Sequence, residues 1–596
     1  MKIPTLLNRR TFVLALALFS TAAHANPQLT SWFTADSGQY ARIYQSTAAE
    51  TAGTVSKTWS RGSGVQTSPT YAGVSEIVYS ASWVYIRTTG LASHIMGPWY
   101  LDAAKTQNFP NFPSNTATIY RIPRTPAIPA TKTLTGLGAT GEMVNGVSMF
   151  DSRDSFSYRN ASATDATPTN GLTGDGIWNR DGYHNEGVTF DPALAHQAGN
   201  NYHYHAQPIG LRYQLGDHVD YNATTNRYTE SPAAVTQHSP ILAWAADGLP
   251  VYGPYGYATA LDAGSGVRRM ISGFVKRDGT NGTTNLASTG RQSLPAWAQR
   301  IQSKPTLTAA QYGPVISATY LLGHYIEDFD YLGDLGFTQG VSFDLNEQNV
   351  RFCITPEFPA GTYAYFTPIN ADGTPAYPYT TGRQYYGSPT GGSATITETV
   401  TTLFQGGPNK AATWTSVPVA VAGGNVTLAW SAAEGGTYQV SATSDLAVTP
   451  AALTPTVLAA DDSASAVETG GATSNTNRFY KIARTTLATF DANGFNYTQG
   501  GGGGTAVAPG GSAARGTTVT VTITLPTTPP QPPANLVPTS VTLAGTIVGT
   551  TVSRPAQGTV LATFAIPAGA PTGAQNIVVT FNPAPTYTMT GAFTIN

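Results

Sequence analysis

Short runs of β-branched and aromatic residues, cut every few positions by glycine or proline, restrict this chain's fold more than any other feature. Residues 75–79, 83–86, 351–354 and 362–366 are such runs, and 425–430 and 517–523 alternate cleanly between apolar and polar positions. Alternation with period two is the mark of a strand that buries one face. No stretch shows the 3.6-residue period of a long amphipathic helix, and 296–302 is the one short helical candidate. The 62 glycines and 41 prolines supply turns for many short strands. The expected fold class is all-β.

At 596 residues the chain exceeds what one hydrophobic core supports, so several domains are expected. Residues 1–25 read as a secretory signal peptide. Lys2, Arg9 and Arg10 give a positive start, an apolar run follows, and Ala23-His24-Ala25 fits the small-x-small cleavage pattern. The stretch Asn8-Arg9-Arg10-Thr11-Phe12 fits twin-arginine export as well as the ordinary route. Residues 26–390 are rich in Tyr, Trp, Asn and His. A linker-like Gly/Ser/Pro segment at 387–393 then leads into an Ala/Thr/Val-rich β-sandwich pattern over 391–495. A glycine-rich linker at 496–504, with five consecutive glycines from Gly500, precedes a second sandwich pattern over 505–596. That last stretch resembles the immunoglobulin-like modules of bacterial surface and secreted proteins.

Charged residues make up 11 % of the chain and the formal net charge is −2. Without a basic field, nucleic acid and anionic membrane surfaces are excluded as expected partners. No segment after the leader is apolar for long enough to span a bilayer. The mature chain is therefore expected in a periplasm or outside the cell, facing an extracellular small molecule, polymer or surface. A single cysteine, Cys353, leaves no internal disulfide to stabilise an exported protein. It falls in a predicted strand, where a buried thiol is the default and a soft copper ligand the alternative.

The chemistry concentrates in the first large segment. Of nine histidines, eight lie between His94 and His324 and none follows. The most informative stretch is Tyr202-His203-Tyr204-His205. On a strand His203 and His205 point the same way, with Cβ atoms roughly 6–7 Å apart. Two imidazoles so placed can bind one metal ion while the tyrosines pack on the other face. Further ligands must come from elsewhere. A hairpin through Gly199 can return His196 to the pair, and His238, ahead of Ser239-Pro240, sits where a loop ligand would. His94 and His184 are weaker candidates, and His218 reads as an exposed turn. His324, beside Glu327, Asp328 and Asp330, reads as an acid/base or as part of a solvated loop. Asp344, Glu347 and Glu357 can bind calcium or orient histidines from outside the metal's own ligand set. Asp247-Gly248 reads as a hairpin turn.

The tetrapeptide is the signature of the YHYH protein family, and other stretches resemble that family in order along 90–385. They are Ser93-His94-Ile95-Met96-Gly97, Asn145-Gly146-Val147, Asp191 to His196, His238-Ser239-Pro240-Ile241-Leu242, Asp247 to Pro254, and Asp344 to Asn349 with Thr355 to Tyr363. The sequence departs from the pattern at Ala195, at Asn346 and Gln348, and in lacking a cysteine near His196. The family carries no established activity, so the resemblance sharpens the site more than the function. The architecture expected is a large β-rich YHYH-type domain followed by two immunoglobulin-like β-sandwich modules. The function expected is binding of a transition metal, copper or zinc, by His203, His205, His238 and His196, with His94, His184, Asp247, Asp344 and Glu347 as subsidiary positions and calcium the lesser fit. That metal would serve an extracellular metalloenzyme. The alternative is a non-catalytic surface or adhesion protein in which the motif is structural.

Overall fold

The computed structural model describes residues 26–415, 420–453, 455–472, 478–486, 512–525, 538–556, 559–581 and 586–596. Residues 1–25, read above as a signal peptide, the glycine-rich stretch 496–504 and the proline-rich stretch 526–533 lie outside them. The chain divides into two compact units, 1–489 and 490–596, and strands dominate both, as the alternating runs require. The helix expected at 296–302 is present as Ala296–Gln302.

The centre of the first unit is a mixed sheet of eight strands. In chain order they are β1 (Ala139–Met143), β2 (Ser148–Phe150), β3 (His196–Ala198), β4 (Asn201–Tyr204), β5 (Ile241–Ala245), β6 (Pro250–Tyr252), β7 (Val350–Cys353) and β8 (Thr362–Phe366). Their order across the sheet is β3-β4-β2-β1-β5-β6-β8-β7. The β4–β2 and β6–β8 pairs are parallel and the others antiparallel. Both faces are covered, and β5 and β6 are buried along their whole length, which explains why 241–252 reads as an almost unbroken apolar run. Asp247-Gly248 forms the turn between them, with the Asp247 carboxylate accepting from the backbone N–H of Leu249 at 3.0 Å. Cys353 is a free buried thiol on the edge strand β7, and burial pushes it up to about 11.

A second sheet contains Val74–Tyr79, Trp83–Thr88 and Thr118–Pro123. Its residues Val74, Ile77, Val84, Ile86, Tyr120 and Ile122 share one core with Met143, Met149, Tyr202 and Tyr204 of the central sheet. The segment 387–393, linker-like in composition, supplies an edge strand here: Gly392–Ser393 pairs with Tyr120 and Arg121. Thr401–Gln405 adds the opposite edge beside Val74–Tyr79. A Cβ on Gly391 would lie 2.7 Å from the carbonyl oxygens of both Ala246 and Arg121. Glycine is needed there for close backbone approach, a requirement that composition cannot distinguish from flexibility.

Downstream, two small sheets built on Asn425–Ser431 and Thr437–Thr443 enclose Val426, Leu428, Trp430, Tyr438 and Val440. This part is tied to the N-terminal residues through Glu434, whose carboxylate accepts from the Tyr40 N–H at 2.7 Å and pairs with Lys57. Its backbone oxygen accepts from the Tyr71 hydroxyl at 2.8 Å. In the second unit, a five-stranded and a three-stranded sheet close on Val521, Ile523, Val541, Val560, Phe564, Ile577 and Phe593. No helix among the described residues is long and apolar enough to cross a membrane.

Candidate metal centre

The β3–β4 hairpin turns through Gly199 at φ 62°, which places His196 directly opposite His203. Register continues across the sheet: His203 pairs with Ser148, Ser148 with Glu142, and Glu142 with Trp244. Registered neighbours share a face, so one transverse row runs His196, His203, Ser148, Glu142, Trp244. His205 follows β4 by one residue and returns to the same side. The tyrosines take the other face, as alternation requires. There the Tyr202 hydroxyl donates to Asp191 at 2.7 Å, and the Tyr204 hydroxyl meets His94 Nε2 at 2.9 Å.

The three imidazoles His196, His203 and His205 are buried and offer ligand atoms all within 4.8 Å of one another. Each ring is held from behind at Nδ1. His203 Nδ1 lies 3.0 Å from the Asn201 carbonyl and His205 Nδ1 2.6 Å from the Asp151 carbonyl. His196 Nδ1 lies 2.7 Å from the Thr189 hydroxyl. That hydroxyl donates its own proton to the Glu186 carbonyl at 2.7 Å, so it accepts from His196. Carbonyls only accept. All three rings are therefore assigned an N–H at Nδ1, which leaves the Nε2 lone pairs turned on one another. His203 Nε2 and His205 Nε2 are 3.0 Å apart, a separation at which a proton on one ring or a shared cation must lie between the two nitrogens.

A residue that sequence reasoning missed completes the group. Glu186 Oε2 lies 3.1 Å from His205 Nε2 and 3.6 Å from His196 Nε2. It ends the short helix α1 (Gly182–Glu186), whose first turn is capped by the Asp181 carboxylate accepting from the His184 N–H at 2.8 Å. Four donors around a tetrahedral ion with bonds of about 2.0–2.1 Å stand roughly 3.3–3.4 Å apart; the shorter spacings here, 3.0, 3.1 and 3.6 Å, bracket that value, and the imidazole set spreads to 4.8 Å. Phe150 stacks on His203 at 3.8 Å between centroids, and Phe190 and Phe109 flank His196 at 4.8 and 5.8 Å. Burial, reinforced by the neighbouring imidazoles, holds His196 and His203 well below the usual histidine range. For His205 burial acts the same way but is outweighed by the Glu186 carboxylate and the Asp151 carbonyl, and the net shift is upward. The donor set of buried, pre-oriented imidazoles beside a carboxylate suits a transition metal.

The other predicted positions do not join this cluster. His238 bonds through Nδ1 to the Ser239 carbonyl at 2.7 Å and packs against Tyr252, Tyr257 and Phe366. Its loop runs into β5, away from the β3–β4 hairpin, and the X-Pro geometry that made it a candidate serves the loop alone. His94 is a buried partner of Tyr204, and burial lowers it to about 4. His184 lies on α1 beside His324, with ring centroids 5.6 Å apart. Asp247 accepts from the Tyr365 hydroxyl and the Gly387 N–H at 2.7 and 2.8 Å. Asp344 is held by Arg268 and Glu347 by Arg300, so both are spent in ion pairs. Glu357 accepts from Tyr252 at 2.8 Å. The solvated-loop reading of His324 is corrected: its ring is buried and bonds to Asp165 at 2.7 Å. Nearby, Asp328 is buried and clamped by Arg291, with two contacts of 2.7 Å. An internal ion pair accounts for an acidic stretch that composition alone assigns to solvent.

Residues 119–381 match the family model described as YHYH protein. The match spans β1 to β8 and the whole imidazole cluster. No curated protein matches the chain.

Proposed function

We propose that the YHYH domain of this chain binds one transition-metal ion, zinc or copper, through Nε2 of His196, His203 and His205. One observation carries the reading: three protein acceptors hold the three Nδ1 atoms from behind, so the Nε2 lone pairs of the neutral rings converge in a buried space. Arranging buried polar atoms to repel one another costs several kcal/mol unless a cation joins them. Imidazole ligation suits zinc and copper, whereas calcium asks for six to eight oxygens. A centre with three histidines and one replaceable position is the pattern of catalytic rather than structural zinc, which favours a metalloenzyme working after export. When bound, the metal would supply Lewis acidity or, for copper, electron transfer. The protein's part is to hold the imidazoles in one tautomer and to exclude water with Phe109, Phe150 and Phe190.

The test is the metal content of the full chain, purified after export by its native route, beside the His203→Ala/His205→Ala double variant. The expected result is one equivalent of zinc or copper in the wild type and none in the variant. Equal metal content in both, or none in either after reconstitution, would refute the reading.

A further inference from the structure

Among the four donors that converge, three are locked and one is not. The imidazoles are at most 5 % exposed as side chains where they face Glu186, whereas the Glu186 side chain is 26 % exposed. Each imidazole is tethered at Nδ1 by a neighbour. The Glu186 carboxylate makes its close polar contacts with the imidazole nitrogens themselves. Its backbone, by contrast, is tightly held: the Glu186 carbonyl accepts from Thr189, which in turn accepts from His196. The main chain thus fixes where the carboxylate hangs while leaving the carboxylate free to swing.

We propose that Glu186 is the fourth ligand of the centre and the one that exchanges, so that a small oxygen- or nitrogen-donor molecule from solvent takes its place. The proposal rests on the metal reading above and adds which position opens and to what. Val188 and Phe190, which follow Glu186 in the chain, line a neighbouring cavity of about 170 Å³ with Tyr100 and Lys105, in whose walls neither Glu186 nor the three imidazoles take part. Phe109, Phe150 and Phe190 crowd the imidazoles, so the molecule that exchanges at the centre is small. Swinging the carboxylate aside exposes a coordination position without disturbing the three rings, because no ring depends on the carboxylate for its orientation.

The experiment titrates cobalt(II) into the full chain and into the Glu186→Ala and Glu186→Gln variants, and follows the visible absorption of the bound cobalt. Azide is the probe for the exchangeable position. The expected result is one cobalt per chain in all three proteins, with a changed cobalt spectrum in both variants. Affinity for cobalt should be weaker in the variants by at least the roughly 10–100-fold that loss of an outer partner costs. Azide should bind more tightly to Glu186→Ala than to the wild type, since it no longer competes with a carboxylate. A wild-type spectrum and affinity in Glu186→Ala would overturn this proposal alone. No cobalt uptake by the wild type, or uptake unchanged by His203→Ala, would overturn the metal reading and this proposal with it. The near-isosteric Gln variant guards against misfolding: if Ala unfolds, the spectrum and azide affinity of Gln decide.

Discussion

Replacing Thr189 by valine removes one hydroxyl and almost no volume. That hydroxyl accepts from His196 Nδ1 and donates to the Glu186 carbonyl, both at 2.7 Å. In the variant the buried Nδ1–H has no acceptor, at a cost of about 1–3 kcal/mol. The ring can escape by moving its proton to Nε2, which faces the Glu186 carboxylate at 3.6 Å, but that tautomer has no lone pair for a metal. Either way, the ligating form costs about 1–3 kcal/mol more than in the wild type. At 1.4 kcal/mol per tenfold, metal affinity should fall about 5- to 150-fold. This agrees with the loss expected when an outer hydrogen-bond partner of a metal-bound histidine is removed. The assay is competition against a chromophoric chelator, with Thr189→Ser as the control that keeps the hydroxyl and should bind nearly as well as the wild type. Valine and wild-type affinities that coincide, in a folded variant, would refute the claim that Thr189 sets the His196 tautomer.

Two more expectations concern the same sheet and the separate C-terminal unit. Burial raises the Glu142 carboxyl to about 8, against a partial lowering by Ser148, while in the unfolded chain it titrates near 4.3. The protonated form is therefore favoured by folding: its stabilisation is complete below about pH 4.3 and is lost as pH rises through 8. Glu142→Gln should flatten this fall, removing up to about 1.4 kcal/mol per pH unit between those limits; equal slopes in urea unfolding of the two proteins would contradict it. Removing residues 490–596, which form a separate compact unit, should leave metal content and the unfolding of the first unit unchanged, and a loss of metal by mass spectrometry would show otherwise.

Local periodicity made much of this molecule legible. Residues 362–366, read as a strand, are β8 without a residue's change, and 425–430 fall inside the strand Asn425–Ser431. In 425–430 the pleat alone dictates the alternation, so the pattern survives whatever the strand packs against. The division of Tyr202-His203-Tyr204-His205 into two faces was readable for the same reason. So was the return of His196, because a glycine two residues before β4 leaves a short hairpin as the economical connection. Glu186 was not readable. It belongs to a five-residue helix whose direction is set by the Asp181 cap and by backbone bonds from Gly182 to Ser152 and from Asp181 to His324, none of which leaves a spacing in the sequence.

The amino-acid sequence by itself determined the all-β character, the strand runs and the presence of a histidine pair on one side of a strand, because these depend on interactions between near neighbours along the chain. Only the tertiary structure decided which histidines meet. It kept His196 with the pair while setting His238, an equal candidate in the sequence, apart among aromatic rings, and it spent Asp344 and Glu347 on Arg268 and Arg300. It also hung Glu186 over the imidazoles. Ligand convergence is a statement about distances between segments, and those distances come from sheet order and from the fold of short connecting elements, which one-dimensional spacing does not encode.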